Sequence, residues 1–128
     1  MTLQQQADHY FSLYIRSRDM NKYGIKACFI CGVFFKWEEL VCGHWQKRRH
    51  SGTRYSEINC QSICGCCNDE SNPDNDNLFE FKLRQLYGDG LIDDLIITAH
   101  HTVKFNDQDY ARLVQTYKSL TPIQAIRL

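Results

Sequence analysis

Two pairs of cysteines are the residues here whose spacing most directly implies a chemistry: Cys28-x-x-Cys31 and, 32 residues on, Cys64-x-x-Cys67. A two-residue gap lets a tight turn aim both sulfurs the same way, and two such knuckles supply the soft ligands of a tetrahedral structural zinc site. The count of 7 cysteines is odd, which suits metal better than a disulfide framework. Simple burial of small thiols is the competing explanation. A closed zinc site contributes roughly 10–16 kcal/mol in small domains, about the whole stability of such a domain, so zinc is expected to be a condition of folding. Cys42, Cys60 and Cys66 are left over, and Cys66 is an alternative member of the second pair.

Three residues of another kind lie among the knuckles. His44 closes an apolar run, Asn59 precedes Cys64 in an Asn-x4-Cys-x2-Cys-Asn string, and Asn68 completes that string. A lone histidine is usually an ordinary hydrogen-bonded one, and the string is what gives His44 weight. Charge is uneven although the chain is neutral as a whole: Lys47, Arg48, Arg49 and Arg54 stand between the knuckles, and a carboxylate-rich stretch follows them. An anionic ligand is expected at the first block.

The elements that must position these residues read as follows. Thr2 caps a helix from Leu3 to Met20, with Leu3, Ala7, Tyr10, Phe11, Tyr14 and Ile15 as its apolar stripe and Arg16 and Arg18 at a solvated end. Val33–Trp37 and Leu40–Trp45, broken by Glu38-Glu39, suit a hairpin. Gln46–Glu57 is polar and basic and reads as a mobile loop. Helices are expected from Leu78 to Tyr87, stopped by Gly88-Asp89-Gly90, from Leu91 to His100, and from an Asn106 cap to Leu120, with Thr121-Pro122 restarting a short one. The 128 residues suit one domain (1–22 the N-terminal helix, 26–87 the knuckle core, 88–128 a helical extension). The lack of a long apolar segment or a leader points to a soluble, cytoplasmic protein.

Cys28, Cys31, His44, Asn59, Cys64, Cys67 and Asn68 together resemble the HNH, or His-Me finger, nucleases. The texture of FSLYIRSRD, WEELVCGHWQKRRHSGTRYSEIN and CNDESN through LYG is similar to the phage recombination proteins called NinG or Rap. The resemblance covers most of residues 8 to 90. It implies an α+β fold with a small zinc-stabilised ββα-metal core, an N-terminal helix and a helical C-terminal half. It implies a metal-dependent endonuclease acting on branched DNA such as Holliday junctions or D-loops. His44 would be the general base, Asn68 a ligand to catalytic Mg²⁺ or Mn²⁺, and Asn59 the residue that orients the histidine-bearing loop. Lys47, Arg48, Arg49 and Arg54 would contact the DNA backbone.

Many members of that superfamily carry an acidic metal ligand immediately before the histidine, where this chain has Gly43. His44 itself, His50, Asp69 and Asp74 are the candidates to complete the site, and His50 is also a second candidate base. His100 and His101 read as surface or capping residues, and Trp37 and Trp45 as packing. Symmetric cutting of a junction requires two active sites, so a homodimer is expected, with Tyr110, Leu113, Val114 and Tyr117 either at its interface or in the core. The rivals are an HNH nickase or restriction-like nuclease on ordinary duplex, a catalytically silent zinc-ribbon DNA-binding recombination protein, and a redox or metal-storage protein.

Overall fold

The computed structural model describes residues 1–126. Thr2 and Gln5 exchange side chain-to-amide hydrogen bonds, the capping box that starts helix α1 (Leu3–Ser17). The helix stops short of Met20 because Arg18 turns extended and Asp19 takes a positive φ of 61°. α1 is packed on more than the expected stripe. Phe11 and Tyr14 meet Tyr117, with ring centroids 4.9 and 5.2 Å apart, while Leu13 packs with Trp37 and Ala125 on another side.

Strand β1 (Ile25–Ala27) pairs antiparallel with β2 (Phe34–Lys36), and β3 (Val41–His44) pairs antiparallel with β4 (Cys60–Ile63). The expected hairpin of Val33–Trp37 with Leu40–Trp45 is therefore not formed. A 3-10 turn at Trp37–Glu39, fastened by the Glu39 carboxylate on the Lys36 amide, redirects the chain so that the two runs enter different sheets. Apolar patterning had marked both runs as extended but carried nothing about their partners.

Helix α2 (Pro73–Tyr87) begins well before Leu78, because Asn72 caps it and Pro73 fits the first helical turn. Gly88, at φ 86°, ends it and leads straight into α3 (Asp89–Ala99). Asn106 and Asp109 form the capping box of α4 (Asp107–Leu120), and α5 (Ile123–Ile126) follows Pro122. The fold is α+β, with small antiparallel sheets among helices. Among the described residues no helix is long and apolar enough to cross a membrane.

The β3–β4 sheet lies between α1 and α2, and strand alternation divides its residues. Cys42, His44, Cys60 and Ser62 face α1, where the Ser62 hydroxyl donates to the Ile15 carbonyl at 2.9 Å and Phe11 lies beside the His44 ring. Gly43, Gln61 and Ile63 face α2, where Gln61 reaches the Tyr87 hydroxyl at 3.3 Å. Ile63 joins Ile30, Leu40, Trp45, Phe79, Leu83 and Ile92 in the larger apolar core.

Candidate functional site

The two knuckles meet. The sulfurs of Cys28, Cys31, Cys64 and Cys67 all lie within 4.8 Å of one another, and those of Cys31 and Cys64 are 3.9 Å apart. Gly32, at φ 78°, permits the left-handed turn that closes the first knuckle. Cys66 is exposed and outside the group, which settles the choice within the second knuckle in favour of Cys64 and Cys67. Burial alone would push the Cys28 thiol up, but backbone hydrogen bonds, from Cys31 and Cys64 above all, outweigh it and bring the thiol down to about 7. Four sulfurs converging in this way are a donor set that fits Zn²⁺.

Asn59, fully buried, fastens the segment between β3 and β4. Its carbonyl accepts from the Gln46 amide at 2.7 Å, and its amide donates to the Gln46 carbonyl at 3.0 Å and the Thr53 carbonyl at 3.2 Å. Further ties come from α1 and α4. The Asp8 carboxylate accepts two bonds from Arg54, at 2.6 and 3.0 Å, and one from the Tyr55 hydroxyl at 2.8 Å. The Glu57 carboxylate accepts from Tyr14 at 3.0 Å and Tyr117 at 3.1 Å. Gly52 nestles against the end of α3, where an added Cβ would come within 2.3 Å of the Thr98 carbonyl oxygen. The segment is a loop of turns, as its composition suggests, and it is tied to the rest of the fold by these hydrogen bonds.

His44 ends β3 with its Nε2 2.9 Å from the Arg54 carbonyl oxygen. Burial holds the imidazole below its ordinary value, helped by the positive charges of Arg48 and Arg54 and opposed by the backbone hydrogen bonds of Arg54 and Cys42. His44 also borders a narrow crevice with Lys47, Ile63, Asn68, Asp69, Glu70, Asp76 and Phe79, with about 10 Å³ of free volume, room for roughly one water or ion. Asn68 is exposed at its rim, its amide held by the Cys64 carbonyl at 3.0 Å. Glu70 and Asp76, which the sequence reading passed over, also line this crevice; their clustering depends on a turn at Asp69–Asn72 that no spacing rule reveals. Asp69 is engaged by Ser71, and Asp74 and His50 do not line the crevice. Among the described residues the two converging groups of possible ligands are the four-cysteine one and Cys42 with His44 and Cys60; neither includes a carboxylate.

The departure at Gly43 has a steric reason. A Cβ there would lie 2.3 Å from Cδ1 of Ile63, which is itself buried in the crevice wall. Ile63 fills the space an acidic side chain would need.

The basic residues divide. Lys47 is paired with Asp76 at 3.0 Å and Glu70 at 3.9 Å, and Arg54 with Asp8, whereas Arg48 and Arg49 are exposed. Arg16 and Arg18 are not simply solvated as expected: Arg16 lies over Trp37, and Arg18 donates to the carbonyls of Cys60 at 2.7 Å and Glu57 at 3.1 Å. His100 caps α3 and, like His101, is exposed, while Trp37 and Trp45 are buried. On α4, Tyr117 is buried against α1 and Leu113 packs in the same cluster, so these two belong to the core.

These features define an α+β protein with a four-cysteine cluster that could hold zinc and a hydrogen-bonded segment between its central strands. The family model described as Bacteriophage Lambda NinG protein matches residues 1–125, and the chain belongs to that family, which is associated with phage recombination. No curated protein and no solved structure matches it.

Proposed function

We propose that this NinG-family chain is a metal-dependent DNA endonuclease of HNH type that acts on branched recombination intermediates such as Holliday junctions or D-loops. The observation that carries the reading is that His44 and Asn68, far apart in sequence, border one crevice beside a knuckle group fit for zinc, with the intervening segment pinned by buried Asn59. In the tautomer that donates Nε2–H to the Arg54 carbonyl, Nδ1 would be the nitrogen that accepts a proton from water. The lowered imidazole value keeps that base neutral at neutral pH. Asn59 acts by position, holding Gln46 and Thr53 and so the segment whose Arg54 carbonyl meets His44.

Asn68 would supply an amide oxygen at the crevice, whose lining also holds the Lys47-paired carboxylates Glu70 and Asp76. Bound there, Mg²⁺ or Mn²⁺ would stabilise charge on the phosphate and the leaving oxygen. Exposed Arg48 and Arg49 would grip the DNA backbone, with arginine forks matching phosphate oxygens. Contacts of that kind to the backbone read no base sequence, which suits an enzyme that selects DNA by shape. Two copies would cut a junction symmetrically.

The test is cleavage of a labelled four-way junction beside a matched linear duplex, with Mg²⁺, Mn²⁺ or EDTA. Metal-dependent cutting that prefers the junction is expected. Equal cutting of both substrates would favour the duplex nickase, and no cutting by folded, zinc-loaded protein would favour a silent DNA-binding module.

A further inference from the structure

The second converging group lies outside the knuckles. In the β3–β4 register His44 is directly opposite Cys60, and Cys42 precedes His44 by two residues on the same face. Two sulfurs and an imidazole nitrogen from these residues lie within 4.8 Å of one another, the same limit that the knuckle cysteines meet. Cys60 is fully buried and Cys42 half-buried. The Arg54 carbonyl holds the ring at Nε2 and also lies 3.9 Å from the Cys60 sulfur. That is the outer hydrogen bond by which metal-ligating histidines are usually oriented. Asn59 adds an amide donor 3.9 Å from the Cys60 sulfur, placed to support a thiolate.

We propose that Cys42, His44 and Cys60 form a second metal site, of Cys₂His type, for a thiophilic divalent cation such as Zn²⁺. Ligand atoms around tetrahedral zinc are about 3.3–3.8 Å apart, so closure from separations within 4.8 Å requires inward shifts of no more than roughly 1–1.5 Å. Binding forms two metal–sulfur bonds and one metal–nitrogen bond and releases the two thiol protons to solvent. Two thiolates neutralise the dication, so no uncompensated charge is buried. The fourth position is open to water. This site and the catalytic role of His44 exclude each other, since both use the same imidazole lone pair. On the endonuclease reading, on which this consequence alone rests, excess zinc inhibits cleavage by occupying Cys42, His44 and Cys60.

The experiment counts metal and needs no cleavage assay. Full-length protein purified under reducing conditions is titrated with Zn²⁺ and, separately, with Co²⁺, whose thiolate charge-transfer band reports sulfur ligation. About two equivalents per chain are expected for the wild type and about one for folded Cys42→Ser, with the loss confined to the weaker class. Wild-type saturation at one equivalent, or two equivalents retained in Cys42→Ser, would overturn the proposal. Should Cys42→Ser fail to fold, alkylation of the wild type decides: zinc added beyond the knuckle equivalent must protect Cys42, and unchanged labelling of Cys42 contradicts the site. Junction cleavage is then measured with and without the second equivalent; wild type that binds it yet never cuts retains the metal site and loses only the endonuclease reading.

Discussion

Cys28, Cys31, Cys64 and Cys67 stand at turns, whereas Cys42, His44 and Cys60 stand on paired strands, and both sets converge within 4.8 Å. In the knuckles local spacing brings each pair together, and the fold has only to bring one pair to the other. In the strand group the register does everything: a slip of one residue between β3 and β4 would turn Cys42 and His44 away from Cys60. The first cluster is therefore expected to depend on a bound metal and the second on the hydrogen bonds that hold the hairpin. A residue can be far from any recognisable motif and still belong to a site, provided something fixes the strands.

The largest expected effect tests the first half of that contrast. Removing zinc with a strong chelator, or replacing Cys28 and Cys31 by Ser, should cost on the order of 10 kcal/mol and leave the chain largely unfolded by circular dichroism. A chain that stays folded with a cooperative melt would show that the knuckles are dispensable. Next is Asn59→Ala, which strips three hydrogen bonds from a fully buried position and should destabilise by about 2–4 kcal/mol in denaturant titrations. Zinc content should stay unchanged, because the knuckles do not depend on that amide. Gly43→Ala follows, at about 1–3 kcal/mol, since its methyl would press on buried Ile63. A neutral result would mean that the hairpin yields easily and that an acidic residue could have been accommodated.

The smallest effect is Asp8→Asn, about 1–2 kcal/mol, from a carboxylate whose partner Arg54 is largely buried. Burial would raise the Asp8 value, but the Arg54 and Tyr55 hydrogen bonds lower it overall. Its stabilisation is thus present above the ordinary carboxylate value of 3.8 and is lost as pH falls through the lower folded value. His44, also lowered, favours the neutral form, so its share is present above the ordinary 6.5 and is lost as pH falls through its folded value. Melting temperature against pH should show the histidine loss first on acidification, and Asp8→Asn should abolish the later one alone.

The knuckle ligands, the helix caps at Thr2 and Asn106 and the Pro122 restart were legible because each is a local pattern with a local cause. Strand pairing was not. Val33–Trp37 and Leu40–Trp45 are extended as expected, yet which strand each one joins depends on Glu39 closing a turn and on partners before and after them in the chain. The anchoring of the basic segment is not legible locally, because its partners Asp8 and Tyr117 lie far away in sequence. Glu70, Asp76 and the Cys42–His44–Cys60 group escaped for the same reason: their neighbours are set by tertiary folding.

The proposed role of His44 as a catalytic base is decided by comparing binding and cutting of one labelled four-way junction by wild type and His44→Ala, both shown to be folded and zinc-loaded. Similar affinity is expected, falling steeply as salt rises, with metal-dependent cleavage in the wild type that drops by roughly a hundredfold or more in the variant. Cleavage at wild-type rate by His44→Ala would contradict that role.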